Sequence, residues 1–278
     1  MLLCVYIGMM SGLVQMHDVI YVVYPCRGKL YRFNATTRQR LTDIVVDDMF
    51  GTNDIVACPE TCQIYVIGLF YSAKGPCICR VSEDGTDTRR WLPRLPESPS
   101  DMFEPVSLSV TSTRLLVTSC NIRDLIQFGA SGDELRRVKV LDNKIYAQHA
   151  VESPTGTFIV SHRTRVSPHY YSRDKHGKHE VSEVNAGGQV LRQFTVSPIL
   201  QLGCHTSVVL DSAGNIFVGD HLANRILLLD AKLAIRRAVI DEHQLIRRHA
   251  SNLCYVEQAG QLLVGLAAQV AVFDVLRR

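Results

Sequence analysis

The segment VVLDSAGNIFVGDHLANRILLLDAKLAIRRAVI, residues 208–240, decides the fold. It reads as four strands of about four to seven residues each, separated by polar turns. Its second strand, IFVGD at 216–220, has counterparts along the whole chain: IYVVY at 20–24, IYVIG at 64–68, LLVTS at 115–119, FIVSH at 158–162 and LLVGL at 262–266. The central valines are Val22, Val66, Val117, Val160, Val218 and Val264, spaced by 44, 51, 43, 58 and 46 residues. A third strand follows most copies, as LYRF, CICRV, LIQF, HEVSEV, RILLLD and VAVFDV. No window sustains a 3.6-residue apolar period against this alternation, so helices of useful length are not expected. A four-stranded unit cannot bury both of its faces alone, and its regular repetition means radial or linear stacking.

Six units use the whole chain and predict one domain, with blades near 11–47, 53–92, 105–140, 147–196, 205–240 and 250–276. The innermost strand of the fifth unit precedes its central valine by about eight to ten residues, and the same offset in the first unit falls at Gly12 to Val14. Residues 2–8 are then left over, while the sixth unit ends after its third strand. Leu2-Leu3-Cys4-Val5-Tyr6-Ile7 is therefore expected to supply the missing outer strand and close the ring, removing an open sheet edge.

The run D-S-x-G-N-I-F-V-x-D followed by N-R-I-x-x-x-D, residues 211–230, resembles the NHL repeat. Closely in the fifth unit, moderately in the fourth (ESPTGTFIV) and sixth (EQAGQLLVG), and by strand order and spacing elsewhere, the chain resembles a six-bladed NHL β-propeller, all-β with four antiparallel strands per blade. That resemblance implies a non-catalytic recognition module that binds a protein partner through loops on a propeller face. Several NHL propellers bind RNA on a positively charged face. A related propeller enzyme, the peptidyl-amidoglycolate lyase, holds zinc with histidines from different blades near the central cavity.

The composition suits a folded domain: of 278 residues, 46% are hydrophobic and 21% charged, with 30 Lys+Arg against 27 Asp+Glu, a net charge of +3. Neither disorder nor a membrane span is expected, and the protein reads as a monomer. The uncharged stretch from Met1 to Met16 has no Lys or Arg before its apolar run, and Gly8, Ser11 and Gly12 interrupt it, which reads as strands and not as a signal peptide. The nine cysteines, at 4, 26, 58, 62, 77, 79, 120, 204 and 254, form no CxxC pair and no zinc spacing, so reduced thiols and the cytoplasm are expected. Secretion is the alternative, with local bridges at Cys58/Cys62 or Cys77/Cys79. Asn34-Ala35-Thr36 has the form of a glycosylation sequon, yet Asn185, Asp230 and Asp274 recur at equivalent turns, which favours a turn-forming role.

Enzyme signatures are absent in the form of GxSxG, GxxxxGK[ST], GxGxxG or HExxH. Two features point to chemistry. The long connection of the fourth unit, RTRVSPHYYSRDKHGK at 163–178, sets Arg163, Arg165, Arg173, Lys175 and Lys178 against one acid, Asp174, with Tyr170 and Tyr171 among them. Cations with interleaved aromatics neutralise phosphates and stack on bases, so this loop is the expected contact for a protein partner or for single-stranded RNA. His149, His205 and His249 are each expected just before an inner strand of the fourth, fifth and sixth units, seven, nine and eleven residues before Gly156, Gly214 and Gly260. Three imidazoles at the central channel mouth would hold a catalytic zinc with water in the fourth position, making a metal-dependent lyase or hydrolase the alternative to the reading without cofactor. Loop histidines are the plainer explanation, because the offsets differ. The pairs Arg89-Arg90, Arg136-Arg137 and Arg236-Arg237 fall in outermost strands, where charge discourages edge pairing. Trp91 follows one of them and is expected to pack between blades. Asp211 and Asp220 are expected to shape turns and not to bind calcium.

Overall fold

A computed structural model describes residues 2–4, 10–25, 27–73, 76–91, 104–119, 122–140, 145–164, 179–194, 202, 206–221, 223–241, 250–267 and 269–275. After β1 (Leu2–Cys4), the first blade holds β2 (Gly12–Met16), β3 (Val19–Val23), β4 (Lys29–Asn34) and a short β5 (Ile44–Val45). The second holds β6 (Met49–Cys58), β7 (Gln63–Phe70), β8 (Cys77–Ser82) and β9 (Thr88–Trp91). β10 (Pro105–Thr111), β11 (Arg114–Ser119), β12 (Asp124–Phe128) and β13 (Glu134–Lys139) make the third. The fourth comprises β14 (Ile145–Glu152), β15 (Phe158–Thr164), β16 (His179–Val184) and β17 (Val190–Gln193). The fifth comprises β18 (Thr206–Leu210), β19 (Ile216–Asp220), β20 (Arg225–Leu229) and β21 (Ile235–Ile240). The sixth has β22 (Ala250–Val256), β23 (Gln261–Leu266) and β24 (Gln269–Asp274). Among the described residues the only helical element is a 3₁₀ turn, Pro59–Thr61, so no helix is long and apolar enough to cross a membrane.

Each blade is an antiparallel sheet in simple up-and-down order, and β1 completes the sixth by pairing Leu2, Leu3 and Cys4 with Ala271, Val270 and Gln269 of β24. The six innermost strands, β2, β6, β10, β14, β18 and β22, touch one another in a closed cycle. This is a six-bladed β-propeller.

Why the repeat forms this ring is visible in its valines. All six central valines are fully buried. They belong to six separate apolar clusters, each drawn from two adjacent blades. Val66 lies among residues of blades one and two, Val117 of two and three, Val160 of three and four, Val218 of four and five, Val264 of five and six, and Val22 of six and one. The core is thus six wedges, and no blade can bury its apolar faces without both neighbours.

Turn chemistry accounts for the recurring Asn and Asp. Asn34 Oδ1 accepts the N–H groups of Thr36 and Thr37, Asn185 Oδ1 those of Gly187 and Gln189, and Asp230 Oδ1 those of Lys232 and Ala234. Asp211 accepts from Asn215 backbone and side chain, and buried Asp220 is held by the Arg225 guanidinium at 2.9 Å. The paired arginines do lie in outermost strands, where Arg90 reaches Asp48, Arg137 reaches Glu134 and Asp124, and Arg136 stacks 5.5 Å over the ring of Phe158 in the next blade. Trp91 ends β9 opposite Ile78, and its side chain lies outside the described residues. Cys58, Cys62, Cys77, Cys79 and Cys254 are thiols, none of them in a disulfide. Burial pushes the thiols of Cys79 and Cys254 up to about 11, which makes them poor nucleophiles at neutral pH.

Candidate functional site

The antiparallel order gives the ring two faces. Inner strands begin, and second strands pass to third strands, on one of them; the hairpins between first and second strands lie on the other, with those between third and fourth. The connection between β15 and β16 leaves at Thr164 and returns at His179, on the first face. Of its candidate contact residues only Arg163 is described, in β15 between Tyr146 and His179 of the flanking strands. Arg165, Tyr170, Tyr171, Arg173, Lys175 and Lys178 lie outside the described residues. Around Arg163 the same end of the ring carries a polar cluster: Arg123 donates to Tyr146 Oη at 2.9 Å and covers its ring, and His179 Nδ1 meets Gln148 Oε1 at 3.1 Å.

The histidine expectation needs one correction. His149 does not precede its inner strand but lies inside β14, which begins four residues earlier at Ile145; it stands opposite Ser161, next to a bulge at Gln148. His205 and His249 lie outside the described residues, immediately before β18 and β22. Nor is the His149 ring idle. Val208 of the next blade donates its N–H to Nδ1 at 3.4 Å, which leaves the ring proton on Nε2, and the imidazole also bonds the Leu108 backbone of the preceding blade. Burial holds its pKa down at about 4, so it is neutral. Zinc on Nδ1 would have to displace the Val208 N–H.

His149 is one member of a layer. The equivalent positions of the six inner strands, opposite the residue after each central valine, are Gly12, Asp54, Ser107, His149, Ser207 and Asn252. Five are polar. An innermost strand has no partner on its inner edge, so its outward N–H and C=O groups need other partners. Asp54 Oδ2 accepts the N–H of Leu108 in the next blade at 2.8 Å, and Oδ1 that of Ile55. Asn252 donates toward Met10 O, again in the next blade. Only Gly12 lacks a side chain, and a Cβ there would stand 2.7 Å from Ile55 Cγ2. Enclosure of Asp54 drives its carboxyl up to about 7, opposed by its two backbone hydrogen bonds.

A second feature on the first face escaped the sequence reading. Phe50, on β6, and Tyr71, just after β7, stack with centroids 4.6 Å apart and planes tilted by 35°. Both are exposed, Tyr71 at 79%. Their backbone is fixed from beneath: Asp48 accepts from the N–H and hydroxyl of Ser72 and from Arg90 at 3.1 Å, while its carbonyl takes the Tyr71 N–H. The Ser72 hydroxyl, helped by Arg90, keeps the Asp48 carboxyl below the usual range. Arg90 in turn lies 4.7 Å from the ring centre of Phe70. A signal for this existed, since in the doubled aromatic Phe70-Tyr71 successive side chains point to opposite sides and only one can be inward.

No protein-family model matches the chain, and no curated relative matches it in sequence. Solved structures do match. Hydrazine synthase of Kuenenia stuttgartiensis superposes with a TM-score of 0.63 at 13% identity, over 97% of this chain and 84% of its own. A catalytically inactive virginiamycin B lyase from Staphylococcus aureus, solved with quinupristin, gives 0.64 at 12% identity, over 96% and 80%. A chain of a nidogen/laminin complex gives 0.60 at 14% identity, over 86% and 82%. The likeness is one of fold. Enzymes and a component of a protein complex share it, so the fold leaves the choice to the site.

Proposed function

We propose that this protein is a recognition scaffold that binds a protein partner on the face where its inner strands begin, with Phe50 and Tyr71 as the anchor. The observation that carries this reading is the exposed aromatic pair, seated beside Asp48, Ser72 and Arg90, whose carboxylate, hydroxyl and guanidinium are already bonded to one another. Exposed large hydrophobics elsewhere, such as Leu135, Leu191 and Ile235, stand singly on the outer strands of different blades. Buried aromatic anchors dominate binding energy at protein interfaces, and a loop ordered in advance loses little entropy on docking. The resemblance to NHL propellers agrees with this use, as does a structural neighbour crystallised in the nidogen/laminin complex. The polar inner layer spends its groups on holding the blades together, which suits a scaffold better than a reaction centre.

The test is paired affinity capture with the wild type and F50S/Y71S, followed by titration of the partners recovered. Loss of both rings is expected to weaken binding by about 30-fold, equivalent to ~2 kcal/mol. Their exposure keeps the melting temperature unchanged. Partners retained at equal affinity by the variant would overturn the assignment of the anchor. Saturable, salt-sensitive binding of an RNA pool, lost when Arg163, Arg165, Arg173 and Lys175 are neutralised together, would replace protein by RNA as the ligand.

A further inference from the structure

On the opposite face, three turns bring together side chains of different chemistry. His17 stands in the β2–β3 turn of the first blade. Cys62 follows the 3₁₀ turn between β6 and β7 of the second blade, and Glu83 opens the turn after β8 of the same blade. Their ligand atoms, an imidazole nitrogen, Sγ and a carboxylate oxygen, all lie within 4.8 Å of one another.

We propose that His17, Cys62 and Glu83 form a binding site for a zinc-like divalent cation that joins blades one and two, with a fourth position open to water. Donor chemistry selects the class of ion. Thiolate and imidazole favour zinc and its softer neighbours, whereas calcium and magnesium require oxygen ligands. Geometry supports it independently. Zinc bonds of about 2.0 Å to nitrogen and oxygen and 2.3 Å to sulfur place tetrahedral ligand atoms roughly 3.3–3.6 Å apart. His17 Nδ1 and Glu83 Oε1 already stand 3.2 Å apart, in a hydrogen bond whose proton the ion would replace. Only Sγ has to approach, and its present bond is a weak one to Pro59 O at 3.7 Å.

The three turns are also held in place. Gln15 bonds the His17 carbonyl at 3.0 Å, and the Tyr21 hydroxyl reaches the Glu83 carbonyl. Gly85, at φ +79°, lets the turn after β8 settle onto Ile44 of the first blade, where a Cβ would come within 2.9 Å of that side chain. This seating brings a carboxylate of blade two against a histidine of blade one. His17 is half-exposed and Cys62 exposed, so an ion can enter from solvent without opening the core.

The test uses the full chain, reduced and stripped of metal, titrated with Co²⁺ and then Zn²⁺. One equivalent of Co²⁺ is expected to produce near-ultraviolet thiolate-to-cobalt charge transfer together with the intense visible bands of a tetrahedral ion, both abolished by Zn²⁺. C62S is expected to remove the charge-transfer absorption. H17Q and E83Q each should weaken Zn²⁺ binding by more than about tenfold, since even outer-shell partners are worth that much. Circular dichroism establishes that each variant is folded. Absence of charge transfer at stoichiometric Co²⁺ overturns the proposal, and so does a band that persists in C62S, which would place the thiolate at another of the nine cysteines. A set built on His149, His205 and His249 contains no sulfur, so it would give visible bands without charge transfer and would likewise overturn the site proposed.

Discussion

Asp54 and His149 occupy equivalent positions two blades apart, and burial shifts them in opposite senses. The folded Asp54 carboxyl titrates near 7 against an ordinary 3.8, so between these values the native state holds a proton that the unfolded chain has lost. Its contribution to stability is full below about pH 4 and is lost as pH rises toward 7. Folded His149 titrates near 4 against 6.5. Here the unfolded chain takes up the proton first, so stability is full above pH 6.5 and is lost as pH falls toward 4. The two slopes oppose each other over nearly one window. In wild type they offset, and single variants expose them. Urea denaturation across pH 4–7 is expected to show stability rising with pH in D54N relative to wild type, and falling in H149Q. Parallel curves for all three proteins would mean that neither group is buried in the ionisation state inferred.

At the scale of strands, ring closure depends on a segment far from its partner in sequence. β1 pairs with β24, and Met10, which follows it, is buried among Leu263 and Val270 of the sixth blade with its N–H on Ala267 O. M10A is expected to cost about 2–5 kcal/mol, the usual range for a buried methionine. Deleting residues 1–10 removes the strand pairing as well and should lower the melting temperature further; equal thermal unfolding of the deletion and wild type would refute closure by this segment. This closure was legible in the sequence, because the repeat counted one strand too few at one end and one too many at the other. The strands themselves were legible because alternation and turn residues are local properties. Bulges are not. The bulge at Gln148 leaves no mark on composition, and neither does the start of β14 at Ile145, which places His149 in the interior of its strand and not at its mouth. Nor could spacing reveal the cluster of His17, Cys62 and Glu83, since it joins three turns of two blades and depends on how those blades abut. The Phe50–Tyr71 pair was half visible: alternation marks Tyr71 as outward, but the bulge that turns Phe50 toward it is again silent.

In the whole molecule, six wedge-shaped cores shared between neighbours make each blade's stability conditional on two others, and the closed cycle leaves no terminal blade from which unfolding can begin. An open array of the same units would fray from its ends. The ring should therefore unfold as one cooperative unit despite its repeat construction. The single tryptophan, Trp91, lies in β9 of the second blade, so its fluorescence reports on that blade while far-ultraviolet circular dichroism reports on all six. Leu229, fully buried in β20 of the fifth blade, sits across the ring from it. L229A leaves a cavity costing about 2–5 kcal/mol. Both probes are expected to trace one coincident transition in wild type, and in L229A to shift together by the same amount. A variant whose circular dichroism moves while its Trp91 fluorescence does not would show that the damage stays in the fifth blade, and that ring closure does not couple the blades.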